Sequence, residues 1–236
     1  MPAASEILST ATVIANEWRW LAVSWHLLMG AGVVALAAGW RPSKRLAGVL
    51  VTPMLISVSA LAWWSSNPFT GIVFLLLAGA LAALSARLPM ESIRIGPRPI
   101  AALGMSLMAF GWVYPHFLNT TSWVTYLYAA PLGLLPCPTL IATIGFALMV
   151  DGLDSRPWTM ALAGVGLVYG AIGVFTLGVT IDVVLLAGAI VLMGLAIAGS
   201  TAMGSEQRRI GVSPLGAVRK STFMRTITEG ICRFRV

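Results

Sequence analysis

The chain has 236 residues, of which 58% are hydrophobic and 10% are charged, and its mean hydropathy is +0.89. Soluble domains carry about a quarter charged residues, so this composition excludes a chain that covers its whole surface with water-facing side chains. The basic residues behind the net charge of +7 lie in the connecting segments and in the C-terminal tail, so we expect no nucleic-acid partner. Long, continuous apolar runs predict membrane-spanning helices rather than alternating strands.

Seven apolar segments follow one another, and a helix needs about 20 apolar residues to span a bilayer. We predict spans near 18–40, 46–64, 69–85, 100–118, 137–150, 159–177 and 182–203. Residues 1–17 form a short tail, and Ile7, Ala11 and Ile14 would share one face if it is helical. The fold class is therefore all-α, a polytopic transmembrane bundle over residues 18–203, with a basic tail at 204–236.

The connection at residues 119–136 is the longest between spans, and it is rich in aromatic residues and prolines. It is too apolar for a free loop, so we expect it to lie on the membrane surface or to dip into it. The following span is short, which is typical of a broken or re-entrant helix. In span six, Gly166-x-x-x-Gly170 predicts a small-residue packing face.

Charge predicts the orientation of the bundle. With seven spans, all but one of the 15 basic residues fall on one side of the membrane, and Arg19 alone falls on the other. Positive loops stay cytoplasmic, so the N-terminus is expected outside and the C-terminus inside.

This orientation brings the chemically distinctive residues to one depth. His26, His116, Cys137 and Asp182 would all lie in the outer third of the bundle. Imidazole and thiolate are the ligands that soft metal ions prefer, so the sequence predicts a metal site at His26, His116 and Cys137.

Three alternatives stay open for this cluster. His26 and His116 could ligate haem, although their expected depths differ by about two helical turns. A quinol or another small lipophile could bind against Trp112, Tyr114, His116 and Tyr126. The aromatic residues could also be interfacial anchors, with Asp182 as a helix N-cap.

Other motif classes are missing from the sequence. There is no phosphate-binding loop, no lysine in span seven for a retinal Schiff base and no readable nucleophile–base arrangement, so a non-enzymatic role is favoured. The middle of each predicted span lacks acidic and basic residues, which argues against a charged proton relay. The tail at 204–236 could contact anionic lipid headgroups through its seven basic residues, which are Arg208, Arg209, Arg219, Lys220, Arg225, Arg233 and Arg235.

One stretch resembles a known family. Tyr114-Pro115, the run from Pro131 to Thr139 with its Gly-x-x-Pro-Cys-Pro-Thr motif, and the earlier Asn67-Pro68 turn resemble bacterial multi-pass membrane proteins of unknown function. The resemblance implies a helical membrane fold in a bacterial inner membrane and directs attention to Cys137. The resemblance implies no particular activity for this chain.

Two functions follow as expectations. The first is a non-catalytic subunit or scaffold of a larger bacterial inner-membrane complex, which contacts other subunits within the lipid bilayer. The second is a binding or transport protein for a small solute or soft metal ion at the outer side.

Overall fold

A computed structural model describes residues 4–211, and this range is predominantly helical, with a single isolated β-bridge between Ser43 and Ser92 and no longer strand. The expected all-α class is confirmed. The α-helices of the described range are α1 (Ala4–Glu17), α2 (Arg19–Ala37), α3 (Lys44–Trp64), α4 (Pro68–Ala86), α5 (Arg98–Val113), α6 (Val124–Ala129), α7 (Pro136–Met149), α8 (Arg156–Ala171) and α9 (Val183–Gly211). A π-helical turn, Ile172–Thr176, extends α8.

Within residues 4–211, five helical segments are long and apolar enough to cross a membrane: Arg19–Ala37, Lys44–Trp64, Pro68–Ala86, Arg156–Thr176 and Thr180–Ala198. The apolar helices α5 and α7 are shorter, at 16 and 14 residues. At 1.5 Å per residue they are about 24 and 21 Å long, less than the hydrocarbon thickness of about 30 Å. Helices that are long and apolar enough to span a membrane are therefore confirmed, and the count of seven spans stays a prediction.

Local sequence explains where several helices begin and end. The Ser43 hydroxyl caps α3 by accepting from the Leu46 N–H at 3.2 Å, and the Asn67 side chain caps α4 by accepting from the Thr70 N–H at 3.1 Å. The predicted span at 100–118 is helical only as far as Val113, where α5 ends. Proline at 115 disfavours helical geometry at Tyr114, so the helix stops before it.

The residues up to Ala196 form one compact unit. Three loops meet at one end of it, which we call the basic end. There the Lys44 N–H donates to the Glu91 carbonyl at 2.8 Å, and the Gly96 N–H donates to the Met149 carbonyl at 3.0 Å. These loops and the adjoining helix starts carry Arg41, Lys44, Arg45, Arg87, Arg94, Arg98 and Arg156.

A buried lysine holds the loops of the basic end together. The ammonium of Lys44 lies 2.6 Å from Asp154 and 3.2 Å from Glu91, and its side chain is 8% exposed. Asp154 belongs to a turn at Asp151–Asp154 in which all four residues have a positive φ, between 52° and 59°. Left-handed backbone costs a residue with a Cβ about 1–2 kcal/mol, and the Lys44 contacts and the burial of Leu153 offset that cost.

The opposite end, which we call the capped end, is covered by α1 and by residues 114–135. The predicted tail at 1–17 is a helix over Ala4–Glu17, with Ile14 and Ala15 buried. Its Asn16 side chain donates to the Phe117 carbonyl at 2.9 Å and accepts from the Asn119 N–H at 3.0 Å. The ring of Trp18 also packs against that of Trp64, with ring centroids 6.1 Å apart.

The connection at 119–136 enters the bundle. It contains the short α6 and then residues 129–135, all of which are buried. Backbone polar groups in this segment find partners: the Gly133 N–H donates to the Thr139 hydroxyl at 2.9 Å, and the Leu135 N–H donates to the Pro131 carbonyl at 3.1 Å. Irregular backbone at membrane depth is tolerated where protein buries it in this way.

Helix α7 lies at the centre of the unit, with most of its residues buried. It packs against α5 through glycines: a Cβ on Gly145 would lie 2.5 Å from the Met108 nitrogen, and one on Gly111 would lie 2.7 Å from the Ala142 nitrogen. The two backbones are therefore in direct contact, as small residues permit in membrane helices.

The second unit begins at Ile197, and its described part, through residue 211, is the end of α9. The predicted tail at 204–236 thus begins within a helix. Residues 212–236 of that tail lie outside the described residues.

Candidate functional site

A buried carboxyl group lies at the capped end of the bundle. The Tyr114 hydroxyl donates to Oδ1 of Asp182 at 2.6 Å, and the two residues are 0% and 1% exposed. Tyr114 follows the last residue of α5, and Asp182 precedes α9. The short helix α5 therefore brings the phenol to the depth at which α9 begins.

Two further elements surround Asp182. The thiol of Cys137, in the first turn of α7, faces the carboxyl group. From the π-helical turn after α8, Gly173 lies so close that a Cβ there would approach Oδ2 to 2.1 Å. π-Helical turns often occur at functional sites. Asp182 thus links the ends of α5, α7, α8 and α9.

Tyr169 contributes a second buried phenol at this end. Its ring packs edge-on against Phe74, with centroids 5.3 Å apart, and its hydroxyl has no hydrogen-bond partner among the side chains that the structure describes. The Thr70 hydroxyl lies beside it without meeting hydrogen-bond geometry. An unpaired buried hydroxyl costs about 1–3 kcal/mol, so this group is available to a ligand or water.

The structure gives His26 a different role from the predicted metal ligand. Its Nδ1 lies 2.8 Å from the Ala22 carbonyl and its Nε2 lies 3.0 Å from the Trp112 carbonyl. Carbonyl oxygens only accept, so a neutral ring donates to one of them and a protonated ring donates to both. Both nitrogens face backbone oxygen, and the ring joins α2 to α5.

The predicted three-ligand group is not assembled. His116 is exposed, and its ring lies against Phe117 with centroids 4.3 Å apart. Among the residues that the structure describes, no group of three His, Cys, Asp or Glu side chains lies close enough to hold a metal ion. His26, His116 and Cys137 therefore do not converge, because α2 presents its histidine to α5 and Pro115 turns His116 outward. The haem alternative also lacks support, since both ring nitrogens of His26 face backbone carbonyl oxygens.

The aromatic residues predicted to line a lipophile pocket have separate partners. The Trp112 indole donates to the Leu127 carbonyl at 2.7 Å, and the Tyr126 hydroxyl donates to the Leu118 carbonyl at 3.4 Å. The Trp112 bond therefore attaches the segment at 114–135 to α5, and the Tyr126 bond joins two residues within that segment. Only Tyr114, of the residues proposed for that pocket, bonds to Asp182.

Sequence reasoning grouped Cys137, Tyr114 and Asp182 at one depth but missed two members of the site. Gly173 was visible only as one of several glycines in span six. Tyr169 lies within the Gly166-x-x-x-Gly170 motif, and no local signal of its own distinguishes it. Predicting that Gly173 and Tyr169 are buried would have required knowledge of which side of α8 and its π-helical extension faces Asp182.

The cluster combines an acid, a phenol and a thiol in a water-poor environment. Such a set can exchange a proton or take a small cation if the helices separate, and it can equally serve as a polar tie among four helix ends. Protein-family models, characterised proteins and solved structures contain no match to this chain.

Proposed function

We propose that this chain is a seven-span protein of a bacterial inner membrane, with the N-terminus outside and the C-terminus inside. The gathering of seven basic residues at the basic end supports this orientation, since positive residues stay cytoplasmic. The short helices α5 and α7 would complete their spans with the irregular segments at 114–118 and 129–135.

Within that membrane, we propose that the chain is a non-catalytic subunit of a larger complex and that α2 contacts the partner. The observation that carries this proposal is the low burial of α2. Only 11% of the 18-residue apolar window of α2 is buried, against 28–56% of the corresponding windows in the other four long segments.

Gly32 is a position on α2 at which a helix contact can be tested, and open space around a glycine also occurs at Gly79 on α4 and Gly164 on α8. Glycines at the helix contacts of this bundle, such as Gly111 and Gly145, touch the backbone of a neighbouring helix. Gly32 on α2 has no atom within 4 Å of its Cβ position. A glycine in a helix costs about 1 kcal/mol relative to alanine, and a close helix contact repays that cost. The favoured occupant is an apolar membrane helix of a different subunit.

A cross-linking experiment tests this proposal. A cysteine placed at Ala31, beside Gly32 on the exposed side of α2, should form a specific adduct with a membrane protein in native membranes. Gly32→Leu should abolish the adduct and the co-purification of the partner in mild detergent. Gly79→Leu and Gly164→Leu are matched controls, because those glycines also face open space but lie on α4 and α8.

The outcomes separate the possibilities. A stoichiometric partner that is lost only with Gly32→Leu supports the proposal. An adduct between two copies of this chain would show that α2 contacts a second copy of the chain and not a different subunit. A monomer without any adduct, or equal loss in all three variants, contradicts the proposal.

A second candidate, binding of a small solute or soft metal ion at the capped end, is favoured by the buried Asp182 and by the unpaired hydroxyl of Tyr169. The site is centred on Asp182, Cys137 and Tyr114 rather than on the histidines. Elemental analysis of the purified chain tests it, with Cys137→Ser as the variant and Cys232→Ser as the matched control. A metal present in the control and lost with Cys137→Ser supports it, and absence of metal from the parent chain counts against a resident ion.

A further inference from the structure

A cavity of about 230 Å³ opens between α1 and the end of α3, at the capped end. Its polar lining comes from Ser9, Thr10 and Glu17 of α1 and from Trp64 and Ser65 of the α3 terminus. Pockets for drug-sized ligands occupy about 300–1,000 Å³, so this cavity suits a smaller group. None of these residues belongs to the Asp182 cluster.

The hydroxyl groups that line this cavity already donate their hydrogens to backbone carbonyls. Ser9 and Thr10 each donate to the Glu6 carbonyl at 2.9 Å, and Ser65 donates to the Ala62 carbonyl at 3.1 Å. A hydroxyl has one donor and two acceptor lone pairs, so only acceptor capacity remains. The three oxygens therefore favour a ligand that donates hydrogen bonds or carries positive charge.

Glu17 adds a negative charge to the same cavity. It is the last residue of α1, and that last turn contains no basic residue. The C-terminal end of a helix carries a partial negative charge, which adds to that of the carboxylate. The Arg19 guanidinium donates through one terminal nitrogen to the neutral Asn16 side chain and Asn119 carbonyl, and its Nε has no hydrogen-bond partner among the described residues. No described basic side chain, Arg19 included, lies within ion-pair distance of Glu17.

Trp64 supplies an aromatic surface. Its side chain is 73% exposed, and its contact with Trp18 is edge-on, with an angle of 81° between the rings. An indole face attracts cations, and aromatic faces are a common recognition surface for organic ammonium groups.

We propose that the cavity between α1 and Trp64 binds an organic ammonium group. Glu17 balances its charge, Trp64 packs against its alkyl substituents, and the Ser9, Thr10 and Ser65 oxygens accept from any N–H. Trp63 and Trp64 end a membrane-spanning helix, so the site lies where lipid headgroups are found. The ammonium can therefore belong to a phosphatidylethanolamine headgroup or to a free amine, and these two sources share the same chemistry.

Binding of tritiated choline to the purified full-length chain tests the proposal. In nanodiscs made of phosphatidylglycerol alone, binding should be saturable, displaced by tetramethylammonium chloride and unaffected by potassium chloride at equal ionic strength. Glu17→Gln should weaken it about tenfold because it removes a charge-assisted contact. Trp64→Leu should weaken it about two- to fivefold, since it removes a cation–π contact to an exposed ring. The matched controls are Glu6→Gln, on the same helix, and Trp123→Leu, an exposed tryptophan at the same end.

A second arm identifies the source of the ammonium group. If nanodiscs that contain phosphatidylethanolamine suppress choline binding, the natural ligand is the lipid headgroup. If they do not, it is a free amine, and the ammonium site stands in both cases. The proposal is overturned if binding is not saturable, if potassium displaces choline equally well, or if Glu17→Gln and Trp64→Leu bind like the controls while eluting as folded protein.

Discussion

The hydroxyl of Tyr114 lies 2.6 Å from Oδ1 of Asp182 and joins the end of α5 to the start of α9, across 68 residues of sequence. Both side chains are buried, so neither can exchange this partner for bulk water. Breaking this hydrogen bond would leave a buried donor and a buried acceptor unpaired, which lowers the free energy of unfolding. The contact therefore restricts how the two helix ends can pack.

Tyr114→Phe should therefore lower the free energy of unfolding by about 1–2 kcal/mol, because the Asp182 carboxyl loses its phenolic donor while the ring packing is kept. Thermal unfolding in detergent measures the effect. Tyr128→Phe is the control, because Tyr128 is 51% exposed, and it should stay within about 0.5 kcal/mol of the parent. Equal stability of the two variants would show that the Tyr114 contact contributes nothing.

The glycines of the α5–α7 contact make a second prediction. Gly145→Ala should destabilise the bundle by about 2 kcal/mol or more, because its Cβ would lie 2.5 Å from the Met108 nitrogen and 2.6 Å from the Gly104 carbonyl oxygen. Gly164→Ala on α8 has open space and should be neutral or stabilising by up to about 1 kcal/mol. The same unfolding assay decides, and an unchanged Gly145→Ala variant would contradict the close backbone contact.

The left-handed turn at Asp151–Asp154 makes a third prediction. Asp151 is exposed and has a φ of 52°, a conformation that aspartate and asparagine tolerate better than β-branched residues. Asp151→Val should cost about 1–2 kcal/mol, whereas Asp151→Asn should be nearly neutral. Thermal unfolding of both variants checks this difference, and similar stabilities would argue against a left-handed backbone at 151.

The proposed orientation gives a fourth prediction. In a chain whose Cys137 and Cys232 are replaced by serine, Trp123→Cys should react with a membrane-impermeant maleimide in intact cells. Ser92→Cys, at the basic end, should react only after the membrane is opened. The reverse pattern would invert the topology, and labelling of both sites in intact cells would invalidate the assay for that preparation.

The sequence by itself determined the class of this protein and the asymmetry of its ends. Continuous apolar runs leave backbone groups without water, and helices satisfy those groups within one segment. Local signals such as Asn67-Pro68 act over a few residues, so the start of α4 was readable from the chain. The sorting of basic residues into alternate loops likewise needed no tertiary information.

Only the tertiary structure decided which side chains meet. His26 was predicted as a metal ligand, yet its ring contacts the Trp112 carbonyl, 86 residues away. The pairing of Tyr114 with Asp182 and the approach of Gly173 depend on how far each helix is rotated about its axis. Helices that are apolar all round lack the polar face that would reveal this rotation in the sequence. The feature that the sequence marked most clearly, the stretch around Cys137, thus acquired its partners from helices whose inward faces only packing defines.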